Sequence, residues 1–171
     1  YNSVKCVGKS NLFYLKGYTD AKRVVLMGSF NNWKNYELLM QKTDSGWMIP
    51  YSLGHGNYEY VFEVDGKKVN EPGNKTTSGN SILIIAPNYT FRLKGYAEAK
   101  NIYLAGDFNG WSPNAFAMKR EGNEWLLSVH LYPGKHLYKF VVDGKWIIDP
   151  GNQLWEENEL GTGNSVVWMK E

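Results

Sequence analysis

Tyr138-Lys139-Phe140-Val141-Val142-Asp143-Gly144-Lys145-Trp146-Ile147-Ile148 is the stretch that decides the fold. Two apolar-rich runs flank Asp143-Gly144, a dipeptide suited to a two-residue turn whose central residues both need positive φ, so the segment reads as a β-hairpin. The turn sets the register: Val142 opposite Lys145, Val141 opposite Trp146, Phe140 opposite Ile147, Lys139 opposite Ile148. Because side chains alternate, Lys139, Val141, Trp146 and Ile148 share one face, and Tyr138, Phe140, Val142 and Ile147 share the other. The second face is the more apolar and is expected to be core. Trp146 then stands on the outer face beside the Lys139 ammonium, where an indole has no packing reason to be. The alternative is that the loop following the hairpin covers it.

The hairpin occurs twice. Val64-Asp65-Gly66-Lys67 and Val142-Asp143-Gly144-Lys145 are 78 positions apart, as are Leu15-Lys16-Gly17-Tyr18 and Leu93-Lys94-Gly95-Tyr96, and Gly28-Ser29-Phe30-Asn31-Asn32-Trp33 and Gly106-Asp107-Phe108-Asn109-Gly110-Trp111. Met40 and Met118, Trp47 and Trp125, and Pro72-Gly73-Asn74 and Pro150-Gly151-Asn152 keep that spacing. Beyond Asn74 it lengthens: Gly79-Asn80-Ser81 matches Gly163-Asn164-Ser165 at 84, so the second copy carries six extra residues between Gln153 and Thr162. Such a period is too long for a solenoid unit and suits two small domains, 1–86 and 87–171, joined at Ala86-Pro87-Asn88 almost without linker.

Each copy reads as short strands. The paired candidates are Arg23 to Met27 and Asn101 to Ala105, Trp47 to Leu53 and Trp125 to Leu131, Tyr58 to Val64 and His136 to Val142, and Ile82 to Ile85 and Val166 to Met169. Gly, Asn, Asp and Pro interrupt them at intervals too short for helices of ~10 residues. An all-β fold follows, and about seven strands per ~80 to 100 residues indicates two tandem immunoglobulin-like β-sandwiches.

Composition narrows the partners. Across 171 residues, 43% hydrophobic and 21% charged, no apolar run approaches the ~20 residues of a membrane-spanning helix, so a soluble globular protein without a membrane partner is expected. A formal charge of +2 is too small for the field that grips phosphate backbones, which argues against nucleic acid. A single cysteine, Cys6, excludes an intramolecular disulfide, a Cys-rich zinc site and a CxxC pair, and leaves the compartment undecided. The numbering opens at Tyr1 without Met, basic n-region or apolar h-region, as in a part of a longer protein. Aromatic residues reach 15%, with seven Trp and twelve Tyr, more rings than a core requires, so some have surface work.

Trp47 and Trp125 begin strands and read as structural, as does Trp168, while Trp155, in the insertion, is open to either role. Trp111 closes a Gly- and Asn-rich connection and is expected on a loop, with Phe108 the core anchor beside it. A flat ring flanked by cationic and amide donors suits a pyranose, which shows C–H groups on its faces and hydroxyls around its rim. Two stacking platforms at ~1 to 2 kcal/mol each plus a few hydrogen bonds give ~4 to 7 kcal/mol, a dissociation constant between millimolar and about ten micromolar.

At these residues the chain resembles the family-48 carbohydrate-binding modules, most closely the glycogen-binding domain of AMP-activated protein kinase β-subunits. The resemblance runs from about Thr90 to Met169 through Gly106-Asp107-Phe108-Asn109-Gly110-Trp111, Tyr138-Lys139-Phe140, Asp143-Gly144-Lys145-Trp146, Asp149-Pro150 and Leu160-Gly161-Thr162-Gly163-Asn164. It implies a sandwich that binds α-1,4-linked glucans such as glycogen, starch or malto-oligosaccharides, without a cofactor. It also implies Trp111 and Trp146 as sugar platforms, Lys139 on hydroxyls, Leu160 projecting into the curved glucan, and Thr162 and Asn164 as hydrogen-bonding groups. The first copy resembles the family in its scaffold only. Trp33 and Asn80 persist, but Val61 replaces Lys139, Lys68 replaces Trp146, and the counterparts of Leu160 and Thr162 fall in the shorter segment. That copy is expected to have lost glucan binding in the family mode.

Two rival readings remain. An enzyme would need a pair such as Asp143 and Asp149, but both stand in turn sequences, and His55, His130 and His136 lack metal-ligand spacing, so neither catalysis nor a metal is expected. A protein-interaction or spacer module beside other domains of a longer parent is compatible with the same fold. The sequons Asn74-Lys75-Thr76 and Asn88-Tyr89-Thr90 are weak signals.

Overall fold

The structure, a computed structural model, describes residues 4–7, 10–71 and 79–171. The first Pro-Gly-Asn repeat and the Asn74 sequon lie outside the described residues. Among the latter there is no α-helix, hence none long and apolar enough to cross a membrane. Two compact units form, one from most of the residues up to Leu83, the other from Ile84–Glu171 with His55–Asn57, so that two strands assigned below to the first unit, over Gly56–Val64 and Ser81–Ile85, each run across the boundary at one end.

In the first unit the strands are β1 (Val4–Val7), β2 (Ser10–Lys16), β3 (Val24–Gly28), β4 (Leu38–Leu39), β5 (Gln41–Lys42), β6 (Gly46–Tyr51), β7 (Gly56–Val64), β8 (Lys67–Val69) and β9 (Ser81–Ile85). They make one sheet in the order β1-β2-β6-β5 and a second in the order β4-β3-β7-β8, with β9 also on β7. Phe13, Leu15, Leu26 and Phe62 lie in the core between them. The second unit contains β10 (Tyr89–Lys94), β11 (Ile102–Gly106), β12 (Phe116–Ala117), β13 (Lys119–Glu121), β14 (Glu124–Val129), β15 (Gly134–Val142), β16 (Lys145–Ile147), β17 (Trp155–Glu157) and β18 (Gly163–Met169). Its sheets run β10-β14-β13 and β12-β11-β15-β18-β17, with β16 also on β15. Phe91, Leu93, Leu104, Phe116, Tyr138 and Phe140 are almost wholly buried, and the Phe91 and Tyr138 rings meet edge to face at 4.6 Å. Two β-sandwiches in tandem, as the strand count predicts, are the observed architecture.

The hairpin forms in the predicted register for Val142 with Lys145, Val141 with Trp146 and Phe140 with Ile147. Asp143 (φ 47) and Gly144 (φ 85) both adopt the left-handed conformation, as do Asp65 and Gly66 in the first unit. The fourth predicted pair, Lys139 with Ile148, does not form. β16 ends at Ile147, and the Asp149 amide is already turned toward Ser165 Oγ at 2.8 Å.

The Gly-x-Phe-Asn-x-Trp repeat folds the same way in each unit, as a short 3-10 turn over Ser29–Asn31 and Asp107–Asn109. Gly106 is extended, so its glycine serves space rather than φ: a Cβ there would lie 2.5 Å from the Phe108 ring and 2.7 Å from the Leu137 main-chain oxygen. The Gly106 amide donates to Asn109 Oδ1 at 3.0 Å, and Asn109 Nδ2 donates to the Leu104 carbonyl at 3.0 Å. These bonds lock the turn that delivers Trp111.

Candidate functional site

β15 shares one edge between two partners. β16 pairs with Phe140 to Val142, β18 pairs with Gly134 to Tyr138, and Lys139 stands where the two part. The chain between them, from Ile148 to Thr162, leaves the sheet at this split, adds β17 on the far side of β18 and turns back into β18. Lys139 lies on the outer face, as alternation requires, yet the residue as a whole is only 9% exposed, a depth the alternation alone does not predict. Its neighbours on that face explain the burial. Tyr103, Ala105 and Val141 form a small apolar cluster there, with Trp111 packed against it, and Thr162 Oγ1 lies 3.4 Å from Lys139 Nζ.

Trp111 follows the 3-10 turn with φ 58, after Gly110 at φ 64, and its amide donates to the Gly106 carbonyl at 2.9 Å. Two consecutive left-handed residues fold the indole back over the sheet. The ring is half-buried rather than open. Trp146, opposite Val141 on the short β16, is 41% exposed.

The loop before β18 is organised by Asn158. Its Oδ1 accepts the amides of Leu160 (3.1 Å) and Thr162 (3.0 Å), and its Nδ2 donates to Thr162 Oγ1 (2.7 Å) and Asn164 Oδ1 (3.3 Å). Gly161 takes the left-handed position at φ 73. The loop tip holds Leu160 out, 87% exposed, with no core to serve. Trp111, Lys139, Trp146, Leu160, Thr162 and Asn164, the six residues singled out in the sequence, line one groove of about 600 Å³. Leu137, Asn158 and Glu159 complete the lining and were not anticipated. An Asn two residues before Leu-Gly is a turn-forming signal that marks Asn158 in retrospect.

Other expectations divide. Trp47 and Trp125 are buried, their Nε1 groups donating to the Tyr18 and Tyr96 carbonyls. Trp168, expected to be structural, is instead 63% exposed. In the β15–β18 ladder Val167 faces His136 and turns inward, so Trp168, opposite Lys135, turns out. Trp155 is exposed too, its ring lying over Gly163. Asp143 accepts the amides of Lys100 and Asn101, and Asp149 accepts the Tyr138 hydroxyl (2.6 Å) and the Gly151 amide (2.8 Å), so both carboxylates serve the backbone and the core. Burial and Asp149 together hold the Tyr138 phenol well above the usual tyrosine range. Asn88, in the second sequon, uses both ends of its carboxamide on the Leu131 backbone.

In the first unit the corresponding hollow, about 450 Å³, is lined by Met27, Trp33, Asn35, Glu63, Lys68 and Asn80. Val61 is buried where Lys139 stands in the second unit, and Lys68 faces Glu63 where Trp146 faces Val141.

The family described as the glycogen recognition site of AMP-activated protein kinase matches residues 14–84 and, a second time, residues 88–171. The chain belongs to that family. It is thus a carbohydrate-binding module of the glycogen-binding kind, and modules of this family are non-catalytic. Over 72 residues the chain is 38% identical to the 5'-AMP-activated protein kinase subunit beta-1 of Sus scrofa, a match covering 42% of this chain and 57% of that protein. The Homo sapiens subunit is also 38% identical over 72 residues, with 26% of its length covered. Protein PTST homolog 2, chloroplastic, of Arabidopsis thaliana is 46% identical over 53 residues, 31% of this chain and 10% of that protein. The matches span less than two thirds of each relative. Among solved structures, the maltogenic amylase from S. marinus aligns over 98% of this chain and 30% of that chain, at 14% identity and a TM-score of 0.39.

Proposed function

We propose that residues 87–171 bind α-1,4-linked glucan without transforming it, through Trp111, Lys139, Trp146, Leu160, Thr162 and Asn164, and that residues 1–86 are a degenerate copy without this activity. The observation that supports the reading is the convergence of those six side chains on one groove. The groove combines an exposed indole, a half-buried one, an ammonium held at its floor and a leucine projecting from a hydrogen-bonded loop. Each apolar surface removes C–H faces of a sugar from water, and the polar groups meet hydroxyls at the rim. Leu160 gains by entering the apolar interior of a curved glucan what it loses by standing in water.

A dissociation constant between millimolar and about ten micromolar suits this role, because a polymer presents many sites and the parent protein is held near it by repeated weak contacts. The chain thus targets an attached protein to glycogen, starch or malto-oligosaccharides. The first copy serves as a spacer or docking element, since Glu63 and Lys68 occupy the positions of Val141 and Trp146. Co-sedimentation with glycogen tests the reading. The chain should pellet with the polymer and be released by maltoheptaose. Retention in the supernatant at all glycogen loadings, or release of reducing sugar by pure protein, would contradict it.

A further inference from the structure

The carboxamide of Asn158 has a fixed orientation. Its oxygen receives the main-chain amides of Leu160 and Thr162, and a main-chain amide can only donate. Its Nδ2 is therefore turned toward Thr162 Oγ1 and Asn164 Oδ1. The consequence passes to both neighbours. Thr162 Oγ1 accepts from Asn158 Nδ2 and from Lys139 Nζ, so both of its lone pairs are engaged and its own proton is left for a ligand. Asn164 has its oxygen tied to Asn158, which leaves its Nδ2 as the end that serves the groove. Lys139 has three ammonium protons, one directed at Thr162, and contributes the others. The carboxylate in the lining, Glu159, lies on the exposed part of the loop.

We infer that Asn158 is a positioning residue that makes the polar floor of the groove donor-only, and so sets which sugar atoms the site reads. Three donors converge on a ligand that must answer with oxygen lone pairs. Adjacent hydroxyls of a glucose ring do so through their oxygens and leave their own protons to water. A ligand that presents N–H donors in place of those oxygens, such as a ring bearing an ammonium group, meets donors and is rejected. The inference rests on the glucan reading of the groove and adds the polarity of its contacts.

Asn158→Asp separates polarity from loop structure. A carboxylate accepts the Leu160 and Thr162 amides as before, but it cannot donate to Thr162 or Asn164, and it draws the Thr162 proton inward. Wild type and variant are titrated with maltoheptaose, with thermal unfolding measured alongside. The variant is expected to melt within a few degrees of wild type and to lose at least tenfold in affinity. Binding within about twofold by a variant that melts like wild type would overturn the inference. If the variant melts much lower, the decision passes to the wild type and to methyl maltosides in which one ring hydroxyl is replaced by fluorine, which accepts but cannot donate, or by hydrogen, which does neither. At a contacted position the fluoro sugar should bind severalfold more tightly than the deoxy sugar, and equal losses at every position would overturn the inference. Wild type that fails to bind maltoheptaose would remove the glucan reading itself, an outcome distinct from both.

Discussion

Trp146 and Val141 face one another across the β15–β16 ladder, on the side of the sheet turned away from the core. The equivalent pair in the first unit is Lys68 and Glu63. One substituted pair turns an apolar shelf into a charged one on the same scaffold. The sandwich is the same in both units, because each pair stands on the face turned away from the main core.

Replacing Trp146 by Ala should separate binding from folding. The residue is 41% exposed and belongs to no buried cluster, so its loss costs little stability, whereas removing a stacking platform forfeits ~1 to 2 kcal/mol of contact, roughly tenfold in affinity. Calorimetric titration with β-cyclodextrin and a thermal melt of the same sample read both quantities. An unchanged titration would mean that the sugar lies elsewhere.

Trp111→Ala should behave differently. Its ring packs on the cluster of Tyr103, Ala105 and Val141, so truncation leaves a gap and lowers stability by ~1 to 3 kcal/mol as well as weakening binding. A melt unaffected by this change would show that the ring is held only by the ligand.

Much of this was legible in the chain itself. Asp143-Gly144 dictates a turn of known twist, and the period of two then assigns the faces of Tyr138 through Ile147 without reference to the rest of the molecule. The depth of Lys139 was not legible, because it depends on β16 and β18 parting at that residue and on a loop closing over it from Asn158 to Thr162. Trp168 misled for a related reason: a Trp in an apolar run reads as core, yet the register of β18 against β15 turns Val167 inward and leaves Trp168 outside. Asn158 carries no charge or ring to draw notice, and its part emerges only from the bonds it makes across its own loop.

Lys139→Met keeps the aliphatic stem and removes the ammonium. Affinity for maltoheptaose should fall by about 1.5 kcal/mol, the low end for a hydrogen bond with a charged partner. Stability should change little, since the buried stem keeps its packing. A large fall in melting temperature would show that the bond to Thr162 has a structural role.

Trp33→Ala should leave β-cyclodextrin affinity unaltered, because Lys68 and Glu63 displace the second platform in that hollow. A clear loss in the intact chain would assign the first unit a share of the binding.

Glu59 offers a test by pH. Its partly buried carboxyl is raised above the usual glutamate value, mainly by desolvation, with a hydrogen bond from Asn80 opposing. A group whose pKa is higher in the folded state contributes stability fully below its unfolded value and loses it as pH rises through the folded one. Glu59→Gln should therefore raise the melting temperature at pH 7, and the difference should close as pH falls below the carboxylate range. A gap that persists in acid would assign the effect to packing rather than to charge.

Calorimetric titration of the intact chain with maltoheptaose, beside cello- and xylo-oligosaccharides of equal length, decides whether the groove of the second unit holds a coiled α-1,4-linked glucan. Saturable binding is expected for maltoheptaose alone, with a dissociation constant between millimolar and about ten micromolar. Equal binding of the straight β-linked chains, or no heat with maltoheptaose, would contradict it.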